Sequence, residues 1–484
     1  MAEFDHPRLG SIKCIEKDQV LQFRGLKYAS LAHAFADPKL FSVTADSTDA
    51  TQHGKGPLPI FVFLHGGGFA LGSNAWPQYD LARIVKYSAE IGKPVIGVQI
   101  NYRLGIYGFL DSKTLRDAGV GANRGLRDQS AAFQWVKDNI VGFGGDAERV
   151  TAIGESAGGV SLTIHLQSKT PLFNQMVAMG GTSVLMKPLP PFVAEATYEN
   201  VLKKLEIDSG LSSTEQLKCL TEASLQTVLT SIGPDVPLLP VADGKVIPSI
   251  VTFSGWAAAD PSAQLPGTKW CHRAMLGDCQ FDGSILGFAL MGRKVNIATA
   301  FQKSLSKTLK GNEKDLESLL DSYKIIAEVS DDEALMNIQK FITDVHFYAP
   351  AIEVAKAWPG SAFLYHFNEP NPWDGPHKGE STHILDIAFL FQNYNEHLNV
   401  DQRKTTQQFA RDFVTFVNGE DPYPVFSRDN GGAEVYGPPA SAGTNSIRSK
   451  NPSDYGRRGL VWDLASSVGL DKLSTALDMF MAGQ

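Results

Sequence analysis

Two glycine-rich stretches hold the residues best suited to chemistry. The first, GESAG (Gly154–Gly158), lies inside TAIGESAGGVSLTIHL, where one serine stands among glycines between a β-leaning run and an amphipathic one. A serine hydroxyl becomes a usable nucleophile when it is held clear of a sheet at the C-terminal end of a strand. The strained turn that does this needs flanking positions without bulk, and Gly154, Gly158 and Gly159 supply them. A helix starting after Ser156 would also direct N–H groups and its positive dipole end at a developing oxyanion. The plain alternative is a glycine-rich strand-to-helix turn with no chemistry, because a bare G-x-S-x-G arises often by chance.

The second stretch, HGGGF (His65–Phe69), follows the apolar run FVFL about ninety residues earlier. Acyl transfer passes through a tetrahedral intermediate whose new oxyanion needs preorganised donors, each worth about 2.7–4 kcal/mol. Consecutive glycines let the backbone approach a substrate and present N–H groups without side-chain obstruction. An HGGG-type loop paired with a G-x-S-x-G turn is the combination that an oxyanion hole and a nucleophile require.

A serine nucleophile needs a neutral imidazole within reach and a buried carboxylate to fix its tautomer, in the chain order serine, acid, histidine. Beyond the serine helix stand His272, His346, His366, His377, His383 and His397. His366 lies inside the strand-like FLYHFN and reads as structural. His383 follows the polar EPNPWDGPHKGEST and opens the apolar ILDIAFLF, the loop past a late strand where a base belongs; His377 is the runner-up. In AMLGDCQFDGSIL both Asp278 and Asp282 qualify chemically as the acid.

These residues need a scaffold. PLPIFVFL, KPVIGVQINYRL and RVTAIG read as buried strands, with YDLARIVKYSAEIG, RDQSAAFQWVKDNIVGF and AGGVSLTIHLQS as helices between and after them. That alternation predicts an α/β protein whose mostly parallel central sheet is covered by helices on both faces. Residues 188–324 are less regular and carry helical patterns such as VAEATYENVLKKLEI, so a helical cap insertion is expected there. Strand signals return at KWCHRAMLG and SAFLYHFN, and the helical TTQQFARDFVTFVNG precedes a Gly/Pro-rich stretch, GGAEVYGPPASAGTNS. No linker divides the chain, so residues 1–484 are expected to form one catalytic domain.

The arrangement resembles the type-B carboxylesterase/lipase family of the α/β-hydrolase fold, to which the cholinesterases belong. The resemblance is carried by FRGLKYAS, LPIFVFLHGGGFALGS, INYRLGIYGFL, PVADGKVIP and above all GLRDQSAAFQWVKDNIVGFGGDAERVTAIGESAGG, Gly125–Gly159. It implies an oxyanion hole made by the N–H groups of Gly67, Gly68 and Ala157. It also implies His383 as base, with Asp386 three positions on and Phe391 eight on. The family's acid stands five positions after a glycine and just before another, which selects Asp282, between Gly277 and Gly283. The family normally has glutamate there. Aspartate is one methylene shorter, so either its loop approaches His383 more closely or the hydrogen bond lengthens. A second departure lies upstream: DATQHGKGPLPIFVF runs almost straight into the glycine loop, without the family's cysteine loop, so its first disulfide has no counterpart.

The implied reaction is ester hydrolysis through an acyl-enzyme, with no metal or organic cofactor. Lactone hydrolysis and acyl transfer would use the same residues, and a non-catalytic binding protein is the remaining class. Phe69, Leu71 and the 185–192 segment are expected to line the pocket. Their apolar character points to a small hydrophobic or aromatic ester. Within 484 residues, 43% apolar and 20% charged positions suit a globular chain, and a net charge of −8 offers no basic stripe for nucleic acid. Neither a signal-peptide core nor a membrane-length apolar run is visible, so a soluble, cytoplasmic protein is expected. Four cysteines are too few for a disulfide scaffold, although Cys271 and Cys279 are close enough in sequence to pair in an oxidising compartment.

Overall fold

The computed structural model describes residues 2–17, 19–41, 56–427, 432–438 and 456–484. At its centre are seven strands: β1 (Leu58–Leu64), β2 (Ile96–Ile100), β3 (Gly145–Glu155), β4 (Gln175–Met179), β5 (Arg273–Cys279), β6 (Ser361–Phe367) and β7 (Glu434–Tyr436). Their spatial order is β7-β6-β5-β4-β3-β1-β2, and every neighbouring pair is parallel. The amino-terminal residues form a separate antiparallel meander, Ala2–His6, Gly10–Lys17 and Val20–Gln22.

A parallel strand covered on both faces can be apolar at every position, and β1 shows the consequence. Its side chains alternate between two cores. The helices around it are, in chain order, α1 (Ala82–Glu90), α2 (Arg124–Asn139), α3 (Ala157–His165), α4 (Asp331–Thr343), α5 (Ala349–Ala357), α6 (Leu385–Leu390), α7 (Val400–Val417) and α8 (Leu470–Met481). Ile60, Val62 and Leu64 join the core that contains Phe133 and Val136 of α2 and Leu162 of α3. Phe61 and Phe63 point the other way, into the core that contains Ile84 of α1 and Phe409 and Phe413 of α7. Burying a phenylalanine such as Phe61 or Phe63 contributes about 1.5–3 kcal/mol.

The strand order also says where a site belongs. The chain runs from β1 outward to β2, then crosses back to β3 on the other side of β1, and proceeds from there to β7. The direction of winding therefore reverses between β1 and β3. In open α/β sheets the crevice outside the carboxyl ends of the strands at such a reversal is where ligands bind.

Two expectations are corrected. First, residues 188–324 are not one helical insertion, because β5 lies among them in the middle of the sheet. Helices Pro191–Lys204, Ser213–Glu222 and Leu225–Ser231 precede it, and Ile297–Thr308 and Glu313–Tyr323 follow. Second, the Gly/Pro-rich stretch begins with a strand, β7, which pairs with Tyr365–Phe367 of β6; the described part ends at residue 438. All four cysteines are free. Cys271 stands two residues before β5 and Cys279 at its far end, on the order of 25 Å apart at the rise of an extended strand, far beyond disulfide reach. The segment 49–55, where the cysteine loop is missing, lies outside the described residues.

A buried ion network ties Arg458 to the carboxyl end of β5. Arg458 lies 2.9 Å from Asp278 Oδ2 and donates to the Cys279 carbonyl at 3.0 Å, while Asp278 Oδ1 lies 2.6 Å from His366 Nδ1. Arg458→Met removes the guanidinium and leaves the Asp278 carboxylate buried without it. The expected cost is about 3 kcal/mol, read as a lower urea midpoint; an unchanged midpoint would show that the network contributes little.

Candidate active site

Four strand ends converge on the crevice. β1 runs into the glycine loop, β3 into Ser156, β5 into Asp282, and β6 into the segment that returns at His383.

At the end of β3 the chain turns so sharply that Ser156 adopts φ 54° and ψ −123°, a region L residues avoid. Its N–H donates to the Met179 carbonyl at 2.8 Å, and its own carbonyl accepts from Val160 N in the first turn of α3. Side chains are excluded around it: a β-carbon on Gly158 would overlap the Leu64 carbonyl oxygen. The turn is therefore wedged against the end of β1, which explains why the motif needs its glycines.

The glycine loop meets it from β1. Gly67 has φ 108° and Gly68 φ 61°, and a β-carbon on Gly67 would collide with the Leu71 carbonyl. The Gly67 carbonyl turns back to accept from Ala70 N and Leu71 N. His65 anchors the loop: its ring stacks on Tyr102 with centroids 4.7 Å apart, and the Tyr102 hydroxyl donates to the His65 carbonyl at 2.8 Å. Burial lowers the His65 pKa, which favours a neutral ring with Nδ1 2.8 Å from the Gly66 carbonyl. Among the described residues the N–H groups of Gly67, Gly68 and Ala157 donate to no backbone carbonyl outside regular helix and strand pairing, and Ala157 opens α3, where the first N–H groups have no intrahelical partner.

Phe69, expected on the pocket wall, is instead fully buried. It packs against Phe109 at 4.8 Å beside Ala157 and Val160, so it anchors the loop from beneath. Leu71 is 57% exposed, in keeping with a residue at the rim.

Asp282 and His383 are brought together by strand pairing that continues past the sheet. Phe281 and Thr382 form an isolated parallel bridge, with Phe281 N donating to the Ser381 carbonyl at 2.8 Å. One residue further on, Asp282 Oδ1 lies 2.7 Å from His383 Nδ1, and Asp282 Oδ2 accepts from Cys279 N at 2.7 Å. The shorter aspartate keeps a normal hydrogen bond, and its loop is held tightly against α4: Gly283 N donates to Thr343 Oγ1 at 2.8 Å, and Gly283 lies so close to the Gln339 carbonyl that a β-carbon would overlap it. Asp278, the alternative acid, is occupied by His366 and Arg458. His377 sits edge-on to Phe281 with centroids 5.8 Å apart and, among the described residues, in no ion pair with a carboxylate. His366 is fully buried on Asp278, as its position in a strand suggested.

Gly180 and Gly181 separate Ser156 from the Asp282–His383 pair. A β-carbon on Gly181 would overlap the Ser156 carbonyl, and one on Gly180 would lie 3.2 Å from both Asp282 Oδ1 and His383 Cε1. The imidazole's far nitrogen, Nε2, is buried and has no hydrogen-bond partner among the described residues, Ser156 included. It lies 3.3 Å from Glu155 Oε1, off the line of a hydrogen bond, while Glu155 Oε2 accepts from the Tyr79 hydroxyl at 3.2 Å.

Three carboxylates therefore surround one imidazole. Burial opposes the imidazolium, yet the bond and charge of Asp282, followed by the charges of Glu155 and Asp386, outweigh it and push His383 up to about 9. Burial raises Glu155 to about 7 against the pull of His383, and burial with the Asp282 charge raises Asp386 to about 6. Asp386 accepts from the Tyr365 hydroxyl at 2.8 Å.

Sequence reasoning missed Glu155 and Phe347. Glu155 was visible inside GESAG as the residue before the serine, but nothing local says that it faces an imidazole 228 positions later. Phe347 packs edge-on to His383 with centroids 5.3 Å apart, and no motif marks it.

Comparison with known proteins bears on the family and the fold. The "Carboxylesterase family" profile matches residues 41–434. Para-nitrobenzyl esterase of Bacillus subtilis is 28% identical over 403 residues, covering 80% of this chain and 73% of that protein. Lipase 2 of Diutina rugosa is 32% identical over 256 residues, covering 51% and 44%. A secreted lipase of Arthroderma benhamiae is 33% identical over 239 residues, covering 43% and 41%. The matched region thus spans less than half the length of these two lipases. A solved PNB esterase structure superposes with a TM-score of 0.71 at 22% identity, covering 95% of this chain and 99% of that one, which establishes the α/β-hydrolase fold. No described helix is long and apolar enough to cross a membrane.

The pairing itself is testable without an assay of turnover. Asp282→Asn is expected to lower the His383 pKa, followed by NMR, by at least about one pH unit, while Asp278→Asn leaves it nearly unchanged; equal shifts would contradict the assignment of the acid. With the glycine loop, the strained serine turn and the Asp282–His383 pair at the winding reversal, and with the profile matching most of its length, the chain belongs to the carboxylesterase family.

Proposed function

We propose that this chain is a serine carboxylic-ester hydrolase acting through an acyl-enzyme on Ser156. The observation that carries the reading is the 2.7 Å Asp282–His383 bond beside a strained serine turn, with His383 Nε2 left without a hydrogen-bond partner among the described residues. Neutral His383, rotated slightly from Glu155 toward Ser156, takes the hydroxyl proton on Nε2 as Oγ attacks the ester carbonyl. The N–H groups of Gly67, Gly68 and Ala157 receive the oxyanion. His383 then gives its proton to the leaving alkoxide as the carbon–oxygen bond breaks, and a water activated by the same nitrogen releases the acid. Asp282 keeps the imidazole in the tautomer that this cycle needs.

Substrate class follows from the walls. Exposed Leu71, Met186 above Gly68, and Phe347 beside His383 place apolar surface around the reacting centre, which supports a small hydrophobic or aromatic ester. Residues 1–484 act as one catalytic unit, since loops from positions 65 to 383 build one site. The four free cysteines suit a cytoplasmic protein; because a relative is secreted, fractionation of cells producing the chain decides the compartment.

Ser156→Ala is expected to lower kcat on p-nitrophenyl acetate by about 10³-fold or more with the fold retained. Undiminished turnover would end the proposal, and alcoholysis products with added short alcohols would reveal acyl transfer. The pH profile supplies a second test. A base raised toward 9 makes kcat/KM climb through the alkaline range as His383 loses its proton. Glu155→Gln removes one negative charge from beside the imidazolium, so its pKa falls and the acid limb moves about one pH unit lower. A limb that stays in place or moves higher would show that Glu155 does not act on the base.

A further inference from the structure

A buried polar cluster away from Ser156 touches both halves of the site. Lys187 Nζ donates to Ser474 Oγ at 2.8 Å and to Asp478 Oδ2 at 2.7 Å, both on α8. Ser474 Oγ is also 3.2 Å from His346 Nε2, and Asp478 Oδ1 lies 3.7 Å from the same nitrogen. An ammonium can only donate, so the serine oxygen accepts from Lys187 and has one proton left for His346. Ser474 is fully buried and His346 nearly so, and a lysine brought to such a place needs partners of this kind.

Each arm of the cluster ends beside a reacting group. On one side Met186, next to Lys187, puts its methyl 3.9 Å from where a β-carbon on Gly68 would stand, and packs with Phe69, Ala157 and Val160 beneath the glycine loop. On the other side His346 lies in a single π-helical turn, Asp344–Tyr348, whose next residue, Phe347, packs edge-on to His383. A wider turn of this kind inserted between α4 and α5 changes the direction of its side chains. The helix between the two arms is itself held: Asp471 at its start accepts from Phe253 N at 2.8 Å, and Arg293 donates to the Phe480 carbonyl at its end at 3.0 Å.

We infer that Lys187 and Ser474 are positioning residues, which use the carboxy-terminal helix as a brace to hold the oxyanion side and the base side of the site in register. This rests on the Ser156–His383 reading above. The brace touches no substrate. Its effect is on the separation between the oxyanion donors and the imidazole, where a shift of about 1 Å can cost up to 10²-fold in rate.

The test uses the full chain with Lys187→Met, Ser474→Ala and the double variant, assayed on p-nitrophenyl acetate with thermal unfolding measured in parallel. Each single variant is expected to lose about tenfold in kcat, with KM within about twofold, while remaining folded. Because both act through one cluster, the double variant should lose no more than the worse single one, and Lys187→Arg should recover most of the loss. If Lys187→Met does not fold, Asp478→Asn, a change of charge at a half-exposed position, carries the same test with a smaller expected loss. Unchanged kcat in folded variants, losses that multiply in the double variant, or a loss confined to KM would overturn the brace. Failure of the hydrolase reading would show separately, as activity surviving Ser156→Ala.

Discussion

A carboxylate and an imidazole cannot be buried together without partners, and the Asp282–His383 pair constrains the site around it. Each costs several kcal/mol to remove from water. Here that cost is offset by a 2.7 Å hydrogen bond, by Cys279 N on the second carboxylate oxygen, and by loops zipped together through Phe281 and Thr382. The same pairing holds one imidazole nitrogen and leaves the other without a hydrogen-bond partner among the described residues. Burial of Asp282 and of Glu155 would otherwise favour their neutral forms, so the raised pKa of His383 and the charges around it depend on one another.

The sheet explains why these loops meet at all. Winding reverses between β1 and β3, so the loops leaving those two strands must open apart and leave a crevice. Ser156 is wedged at its edge with a strained backbone, which rigid neighbours must hold, and Gly158 against Leu64 does so from the β1 side. Gly180 and Gly181 fill the space between Ser156 and the Asp282–His383 pair with backbone alone. Strain, close backbone approach and buried charge are concentrated within a few residues, as expected where a protein trades local stability for reactivity.

How much of this was legible in the chain depended on range. GESAG, HGGGF and the buried strands β1 and β3 carry local signals of composition and period, and their elements lie where those signals place them. The Gly277–Asp282–Gly283 spacing and the loop position of His383 selected the pair that the structure brings together, even with an aspartate in place of the family's glutamate. Features that depend on contacts between distant segments left no such trace. β7 is only three residues long, too short to show a period, and β4 (QMVAM) is apolar without alternation. β5 was visible as KWCHRAMLG but lay among helical patterns, which hid the fact that 188–324 crosses the sheet. Phe69 looked like a pocket wall because it follows the glycines; only packing against Phe109 shows it facing inward. Lys187 and Ser474, 287 residues apart, meet through tertiary structure alone.

The central claim is that a hydroxyl at position 156 becomes covalently acylated with help from the imidazole at 383. Rapid acid quench of the protein mixed with a p-nitrophenyl ester, followed by peptide mass analysis, tests it most directly. The account predicts an acyl mass increment on the peptide containing Ser156, formed as fast as the first p-nitrophenol is released and strongly suppressed in His383→Gln. Release of p-nitrophenol with no adduct there, or an adduct on another residue, would contradict it.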